Sequence, residues 1–210
     1  MFSHERQAQA QGFNLVIGID EAGRGPLAGP VVAAAVALRS FKFLNKICDS
    51  KQINVQQREC AFHEICQKAY VGVGIMSEGV IDSLNILEST FLAMNNAVDG
   101  LIASLPRPFN KENSQPKIYL LVDGNRFKTS SPHAFQTIVD GDKNVFSISC
   151  ASIVAKVTRD RILKMYDRIL PQYGFAQHKG YPTQSHRRAL KEFGPSFIHR
   201  KSFRPFSYEL

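Results

Sequence analysis

The sequence predicts an α/β domain with a basic helical extension at its C-terminal end, and three observations carry that expectation. Short apolar, β-branched runs alternate with amphipathic stretches at helical spacing, the pattern of a sheet covered by helices. At 210 residues and 44% apolar, the chain is long enough to bury one sizeable core without cross-links. Its net charge of +8 is unevenly placed: residues 1–155 hold 14 Lys and Arg against 14 Asp and Glu, whereas residues 156–210 hold 12 against 4.

Residues 14–20 (NLVIGID) read as a buried strand that delivers Asp20 and Glu21 at its C-terminal end. A Gly/Pro-rich turn from Ala22 to Pro30 separates it from a second strand, Val31 to Leu38. Val55 to Ala69 is a predicted helix, with Asn54 as N-cap and Gln57 three residues on. Tyr70 to Met76 is a third strand, ending in a turn at Ser77–Gly79, and three strands so early suggest a meander. Leu84, Leu87, Phe91, Met94, Val98, Leu101 and Leu105 recur in steps of three and four, which predicts one long helix over 83–105. Pro106 and Pro108 stop it, and a polar loop runs from Arg107 to Pro116. A fourth strand, Lys117 to Val122, presents Asp123 at its end, and a weaker fifth, about 136–140, precedes Asp142. A second long helix covers about 150–170, and a short one over 184–193 runs from a Thr183 cap to the stop at Gly194–Pro195.

Several classes fall away on composition. The four cysteines (Cys48, Cys60, Cys66, Cys150) form no C-x-x-C pair, so reduced thiols of a cytosolic protein are expected, without structural zinc. The longest apolar run, Val31 to Leu38, is too short to span a bilayer, and Met1 to Gln11 is polar. A cytoplasmic protein with no membrane contact is therefore expected. The basic C-terminal quarter points to a polyanion partner, because clustered Lys and Arg displace the counterions condensed on a phosphate backbone. A solvated tail is the alternative, but Phe193, Phe197, Phe203, Phe206 and Tyr208 interleave with the charges and argue for docking.

Acidic residues at strand ends are the central chemical signal. A single Asp in such a place is ordinarily a turn residue, yet Asp20–Glu21 closes an otherwise apolar strand, where an unpaired charge destabilises. If the first and fourth strands are neighbours, Asp20, Glu21, Asp123 and Asp142 converge. Converging carboxylates repel one another, and a hard divalent cation, Mg²⁺ or Mn²⁺, relieves that cost. Gly23, Gly25 and Gly29 have the wrong spacing for a dinucleotide fingerprint, and no G-K-[ST] follows. A Gly-rich turn can still bring backbone amides and Arg24 close to a phosphate or sugar.

Taken together, DEAGRGP (20–26), Val122–Asp123–Gly124–Asn125, SISCASIVAKVTRD (147–160) and YGFAQHKGYPT (173–183) strongly resemble the bacterial ribonuclease HII family, the type 2 ribonucleases H. The resemblance runs in order from about residue 14 to 206. It implies a ribonuclease H-like fold: a mixed five-stranded sheet flanked by helices, with residues 14–170 as the catalytic domain and 171–210 as a helical extension packed on it. It implies a metal-dependent endoribonuclease with two Mg²⁺ or Mn²⁺ ions at Asp20, Glu21, Asp123 and Asp142. The implied substrates are the RNA strand of RNA/DNA hybrids and single ribonucleotides in duplex DNA, cut to leave 5′-phosphate and 3′-hydroxyl ends by a monomer.

By the same resemblance, the substrate-binding turn is Gly23–Arg24–Gly25, the tyrosine that senses the ribonucleotide is Tyr181, and Lys51 contacts the nucleic-acid backbone. Ser149, Ser152, His178 and Lys179 match positions near the bound strand. One departure touches the metal set: where members commonly read V-K-G-D, this chain has Val139–Asp140–Gly141–Asp142. His63, His133, His186 and His199 match no ligand pattern and read as surface or core residues. Three rivals remain: a non-catalytic binder of RNA or hybrid, a nucleotide-cofactor enzyme built on the Gly-rich turn, and another nuclease of the same fold.

Overall fold

The computed structural model describes residues 2–48, 50, 52–106 and 116–204. Among them lie five strands: β1 (Leu15–Ala22), β2 (Val31–Leu38), β3 (Ala69–Met76), β4 (Ile118–Asp123) and β5 (Ala134–Ile138). They form one sheet in the order β3-β2-β1-β4-β5. The expected meander is its antiparallel half, β1 to β2 to β3, while β1–β4 and β4–β5 are parallel. Parallel pairing of Ile19 with Val122 brings the ends of β1 and β4 side by side, so Asp20 and Asp123 occupy adjacent positions at one end of the sheet.

Helices cover both faces: α1 (Ser3–Ala10), α2 (Val55–Lys68), α3 (Glu78–Leu84), α4 (Ile86–Ala103), α5 (Gly141–Asn144), α6 (Phe146–Ile169), α7 (Phe175–His178) and α8 (Gln184–Phe193). Alternation along β1 sorts its residues between two layers. Leu15, Ile17 and Ile19 share a core with Phe91, Met94, Ala97, Val98 and Leu101 of α4. On the other face Ala34 and Val36 meet Ile65 of α2 and Cys150, Ile153 and Val154 of α6. Gly18 belongs to the α6 side, and a methyl group there would collide with the backbone of Ser147 and Ile148. The missing side chain lets the first turn of α6 lie directly on β1, beside Asp20. None of the helices among the described residues is long and apolar enough to cross a membrane.

The structure revises several expected boundaries. The stripe read as one helix over 83–105 is interrupted at Asn85, whose φ of 70° ends α3 and whose side chain accepts from the N–H groups of Leu87 and Glu88 to start α4. An apolar stripe that continues across a cap hides the break. The turn expected at Ser77–Gly79 is instead the capped start of α3, with Ser77 accepting from Val80. Helix α6 begins at Phe146 rather than about 150 because the Glu5 carboxylate of α1 accepts from the backbone and hydroxyl of Ser147, both at 2.9 Å. That cap comes from the far end of the chain, so local sequence could not show it. The capping box of α2 and the Thr183 cap of α8 form as read. The polar loop at 107–115 and the aromatics Phe206 and Tyr208 lie outside the described residues.

Candidate active site

Strand β1 runs two residues further than expected, to Ala22, because its antiparallel pairing with β2 continues (Asp20 with Ala34, Glu21 with Ala33) after its pairing with β4 has ended. Asp20 and Glu21 are therefore held within a strand. Asp20, Glu21, Asp123 and Asp142 line one cleft of about 350 Å³ together with Gly23, Arg24, Gly25, Ser50, Ser152, Lys156, Arg159 and Tyr181. The Oδ1 of Asp20 accepts from the Glu21 N–H at 2.7 Å. Asp123 Oδ1 accepts from the Gly141 N–H at 2.8 Å, which ties the start of α5, and with it Asp142, to the end of β4. Asp142 is buried, whereas Asp140 beside it is exposed, sits at a φ of 54° and pairs with Lys143 at 2.7 Å. The extra carboxylate of this chain thus lies outside the cleft lining.

Burial raises the pKa of Asp20 well above its ordinary value, and the neighbouring Glu21 and Asp123 raise it further. Burial also raises Glu21, while Arg24, 3.2 Å away, pulls it down. These carboxylates are crowded and partly stripped of water, the electrostatic situation that a cation relieves. Four carboxylates make an all-oxygen donor set that suits a hard divalent ion. Among the described residues no three His, Cys, Asp or Glu side chains are already drawn together to hold one, so the acids form a wall of ligands rather than a finished cage.

The glycine turn is held from beneath by two buried arginines that sequence reading missed. Arg159 of α6 donates to the carbonyls of Ala28, Pro30 and Lys179, each at 3.0 Å. Arg200 donates to the carbonyls of Gly23, Arg24 and Gly29 at 2.6 to 2.9 Å. Gly23 has a φ of 98°, and a methyl group on it would collide with the Arg159 side chain. Nothing local marks them: Arg159 stands between Thr158 and Asp160, and Arg200 between His199 and Lys201, as surface cations would. Lys156, also missed, lines the cleft and pairs with Asp160 at 2.8 Å.

The other expected residues fall into two groups. Tyr181 is 43% exposed and faces Gly25 across the cleft, and Ser152 lies in the lining with its hydroxyl 3.1 Å from Ser50. Lys51, next in sequence to Ser50, lies outside the described residues. Ser149 is fully buried, and its hydroxyl donates to the carbonyls of Asp142 and Val145, so it braces α5 from behind the cleft. Lys179 contributes its carbonyl to Arg159 and turns its ammonium back to the Ala176 carbonyl. His178 is buried, stacked on His186 with ring centres 4.3 Å apart, and donates through Nε2 to the Tyr173 carbonyl at 2.7 Å.

His186 and His199, read as surface or core residues, are core. His186 Nδ1 donates to the Tyr181 carbonyl at 2.9 Å, which leaves its Nε2 to accept from His199 Nε2 at 3.0 Å. His199 Nδ1 accepts in turn from the Ser196 N–H at 2.8 Å. The relay is complete only with both rings neutral. Burial, reinforced for His199 by the adjacent His186, lowers both pKa values to about 4. This relay, with Ala189 and Ile198, docks the C-terminal segment; of the aromatics credited with docking from sequence, Phe203 packs against the core between the sheet and α4, whereas Phe193 is about half exposed and Phe197 largely exposed.

A mixed sheet in this order, with carboxylates on the adjacent ends of its two central parallel strands, defines a hydrolytic nuclease of the ribonuclease H-like class. The ribonuclease HII family profile matches residues 17–205. A ribonuclease HII from Chloroherpeton thalassium is 48% identical over 197 residues, covering 91% of both chains. One from Geobacter sulfurreducens is 46% identical over 97% of this chain and 88% of its own. Among solved structures, ribonuclease H2 from Pyrococcus horikoshii superposes with a TM-score of 0.68 at 24% identity, over 92% of this chain and 95% of that one. A Bst-RNase HIII in complex with Mn²⁺ also gives 0.68, at 14% identity, over 92% of this chain and 68% of that one. The chain belongs to the ribonuclease HII family, divalent-metal-dependent endonucleases that act on RNA/DNA hybrids.

Proposed function

We propose that this chain cuts both the RNA strand of hybrids and single ribonucleotides embedded in duplex DNA, leaving 5′-phosphate and 3′-hydroxyl ends. The observation that carries the reading is that the four carboxylates share one cleft with the glycine turn and Tyr181. Asp20, Glu21, Asp123 and Asp142 would hold two Mg²⁺ or Mn²⁺ ions, which when bound neutralise the scissile phosphate and make water a better nucleophile. The chain's own residues do the rest. The Gly141 amide fixes Asp123, and the Glu21 amide fixes Asp20. Arg24, tethered to Glu21, is half exposed and reaches toward a phosphate. Backbone donors of Gly23–Arg24–Gly25 read the 2′-hydroxyl, which base edges do not report. Tyr181 stacks on the neighbouring sugar, and no side chain attacks the phosphorus.

Exposed Arg187, Arg188 and Lys191 of α8 hold the duplex by its phosphates, with residues 14–170 as the catalytic body and 171–210 as the clamp. We place this work in the cytoplasm, where its four free cysteines would stay reduced. The test is a labelled duplex containing one ribonucleotide, incubated with and without Mg²⁺ and resolved on a gel. Cleavage at the ribonucleotide, dependent on Mg²⁺, is expected. Binding that leaves the duplex intact in Mg²⁺ refutes the proposal and favours a binding protein.

A further inference from the structure

Burying two guanidiniums is costly, and a turn that only had to close could be held by apolar side chains. Arg200 is nevertheless fully buried, and its fork reaches three carbonyls of a single turn: Gly23 at 2.6 Å, Arg24 at 2.9 Å and Gly29 at 2.7 and 2.9 Å. In a trans peptide the C=O and N–H point in opposite directions. The carbonyl of Gly23 shares its plane with the N–H of Arg24, and the carbonyl of Arg24 shares its plane with the N–H of Gly25. Drawing both carbonyls down onto Arg200 therefore turns these two N–H groups up, away from the guanidinium and toward the cleft that Gly23, Arg24 and Gly25 line. Among the described residues neither amide has a hydrogen-bond partner.

We infer that Arg200 is a positioning residue for sugar discrimination: it aims the Arg24 and Gly25 amides into the cleft as a paired donor for a ribose 2′-oxygen. The inference rests on the proposed reading of the glycine turn. Arg159 pins the far end of the same turn through Ala28 and Pro30, and it also binds the Lys179 carbonyl. The turn and the segment leading to Tyr181 thus share an anchor, and both halves of the sugar-reading site are registered to α6. A lysine at 200 keeps the charge but loses the planar fork that spans several acceptors at once. It therefore separates orientation from simple electrostatic attraction.

The experiment compares single-turnover cleavage of two duplexes, identical except that one carries a ribonucleotide and the other a 2′-fluoro-2′-deoxynucleotide, whose fluorine is a poor acceptor. Rates are measured for the wild type, Arg200→Lys and Gly25→Ala, and are normalised to active enzyme. A methyl group on Gly25 meets only Tyr181 Cε1 at 3.8 Å, so Gly25→Ala tests the turn without disturbing the fold. Arg200→Lys is expected to shrink the preference for the ribonucleotide by about tenfold, the scale for weakening one hydrogen bond to the sugar rather than abolishing the site. Equal losses on both duplexes with the preference intact would make Arg200 merely structural and overturn the inference. If Gly25→Ala narrows the preference and Arg200→Lys does not, the turn reading stands and the role of Arg200 falls. If neither variant changes it, the turn reading fails and the inference fails with it.

Should Arg200→Lys not fold, amide exchange on the ¹⁵N-labelled wild type decides. The Arg24 and Gly25 amides are expected to exchange freely in the unbound protein and to become protected when hybrid is added without metal. Protection already present in the unbound protein overturns the inference.

Discussion

The histidine relay makes acid stability a quantitative test of how the C-terminal segment is held. His186 and His199, both buried, fall from an ordinary 6.5 to about 4 in the fold, so below pH 6.5 the unfolded chain takes up protons that the folded chain refuses. Stability is therefore intact above that value and lost as the pH falls toward 4. At pH 5 an ordinary imidazole is about 97% protonated while one at about 4 is roughly 10% protonated, which integrates to about 2 kcal/mol per ring. The two rings together remove about 4 kcal/mol, a large share of the ~5–15 kcal/mol typical of a domain.

Urea denaturation at pH 7.5, 6 and 5 of the wild type and of His199→Gln measures the effect, since Gln keeps a donor for His186 Nε2 but does not titrate. The raised carboxylates Asp20 and Glu21 act with the opposite sign, gaining relative stability as the pH falls, but they are common to both proteins and cancel in the comparison. The variant is expected to lose about 2 kcal/mol less than the wild type between pH 7.5 and 5. A difference below about 0.5 kcal/mol would show that the relay does not carry the acid sensitivity.

Asp20→Asn and Asp123→Asn are each expected to lower the cleavage rate at least about a hundredfold, and metal-free Asp20→Asn to melt higher because a crowded buried charge is gone; an active Asp20→Asn enzyme sinks the two-metal reading. Asp142→Asn should cost far more activity than Asp140→Asn, since Asp142 lines the cleft and Asp140 is exposed and paired with Lys143; equal mild losses would place the fourth ligand elsewhere. Tyr181→Ala should slow cleavage at a single embedded ribonucleotide far more than within continuous RNA, with Tyr181→Phe intermediate, whereas equal losses with a lower melting temperature would assign Tyr181 to structure. Deleting 184–210 would remove the relay and Arg200 together, so the clamp is tested by Gln at Arg187, Arg188 and Lys191. Each phosphate that is no longer neutralised should flatten the salt dependence of hybrid binding by about one unit of slope, and an unchanged slope removes α8 from the interface.

The legible parts of this chain were those governed by local rules. Short apolar, β-branched runs marked β1 to β4, and the caps at Asn54 and Thr183 announced their helices. Acids at strand ends pointed to the cleft because parallel pairing of β1 with β4 needs only that the two strands be neighbours. Where a side chain acts on backbone far away in sequence, nothing local betrays it. Glu5 capping α6, Arg159 and Arg200 bracing the turn, and the path from Ser196 through two imidazoles to Tyr181 are all of this kind. A charged or basic residue reads as surface until its carbonyl partners are known. Helix splitting at Asn85 was missed for a different reason: the apolar stripe satisfies the core on both sides of the cap.

The bond from Arg200 to Gly23 spans 177 residues, and that separation orders events during synthesis. The central strands and α4 can meet as soon as they emerge, since domains condense progressively as the ribosome delivers them. The turn beside the carboxylates has to wait, because the guanidinium that orients its peptides is translated long after the turn itself. A growing polypeptide thus acquires its cleft carboxylates well before the brace that, on the proposed reading, readies the turn to tell ribose from deoxyribose. Truncated or stalled products that end short of Arg200 would carry the acids on an unbraced turn, and if that turn reads the sugar as proposed, their removal protects discrimination between nucleic acids as well as solubility.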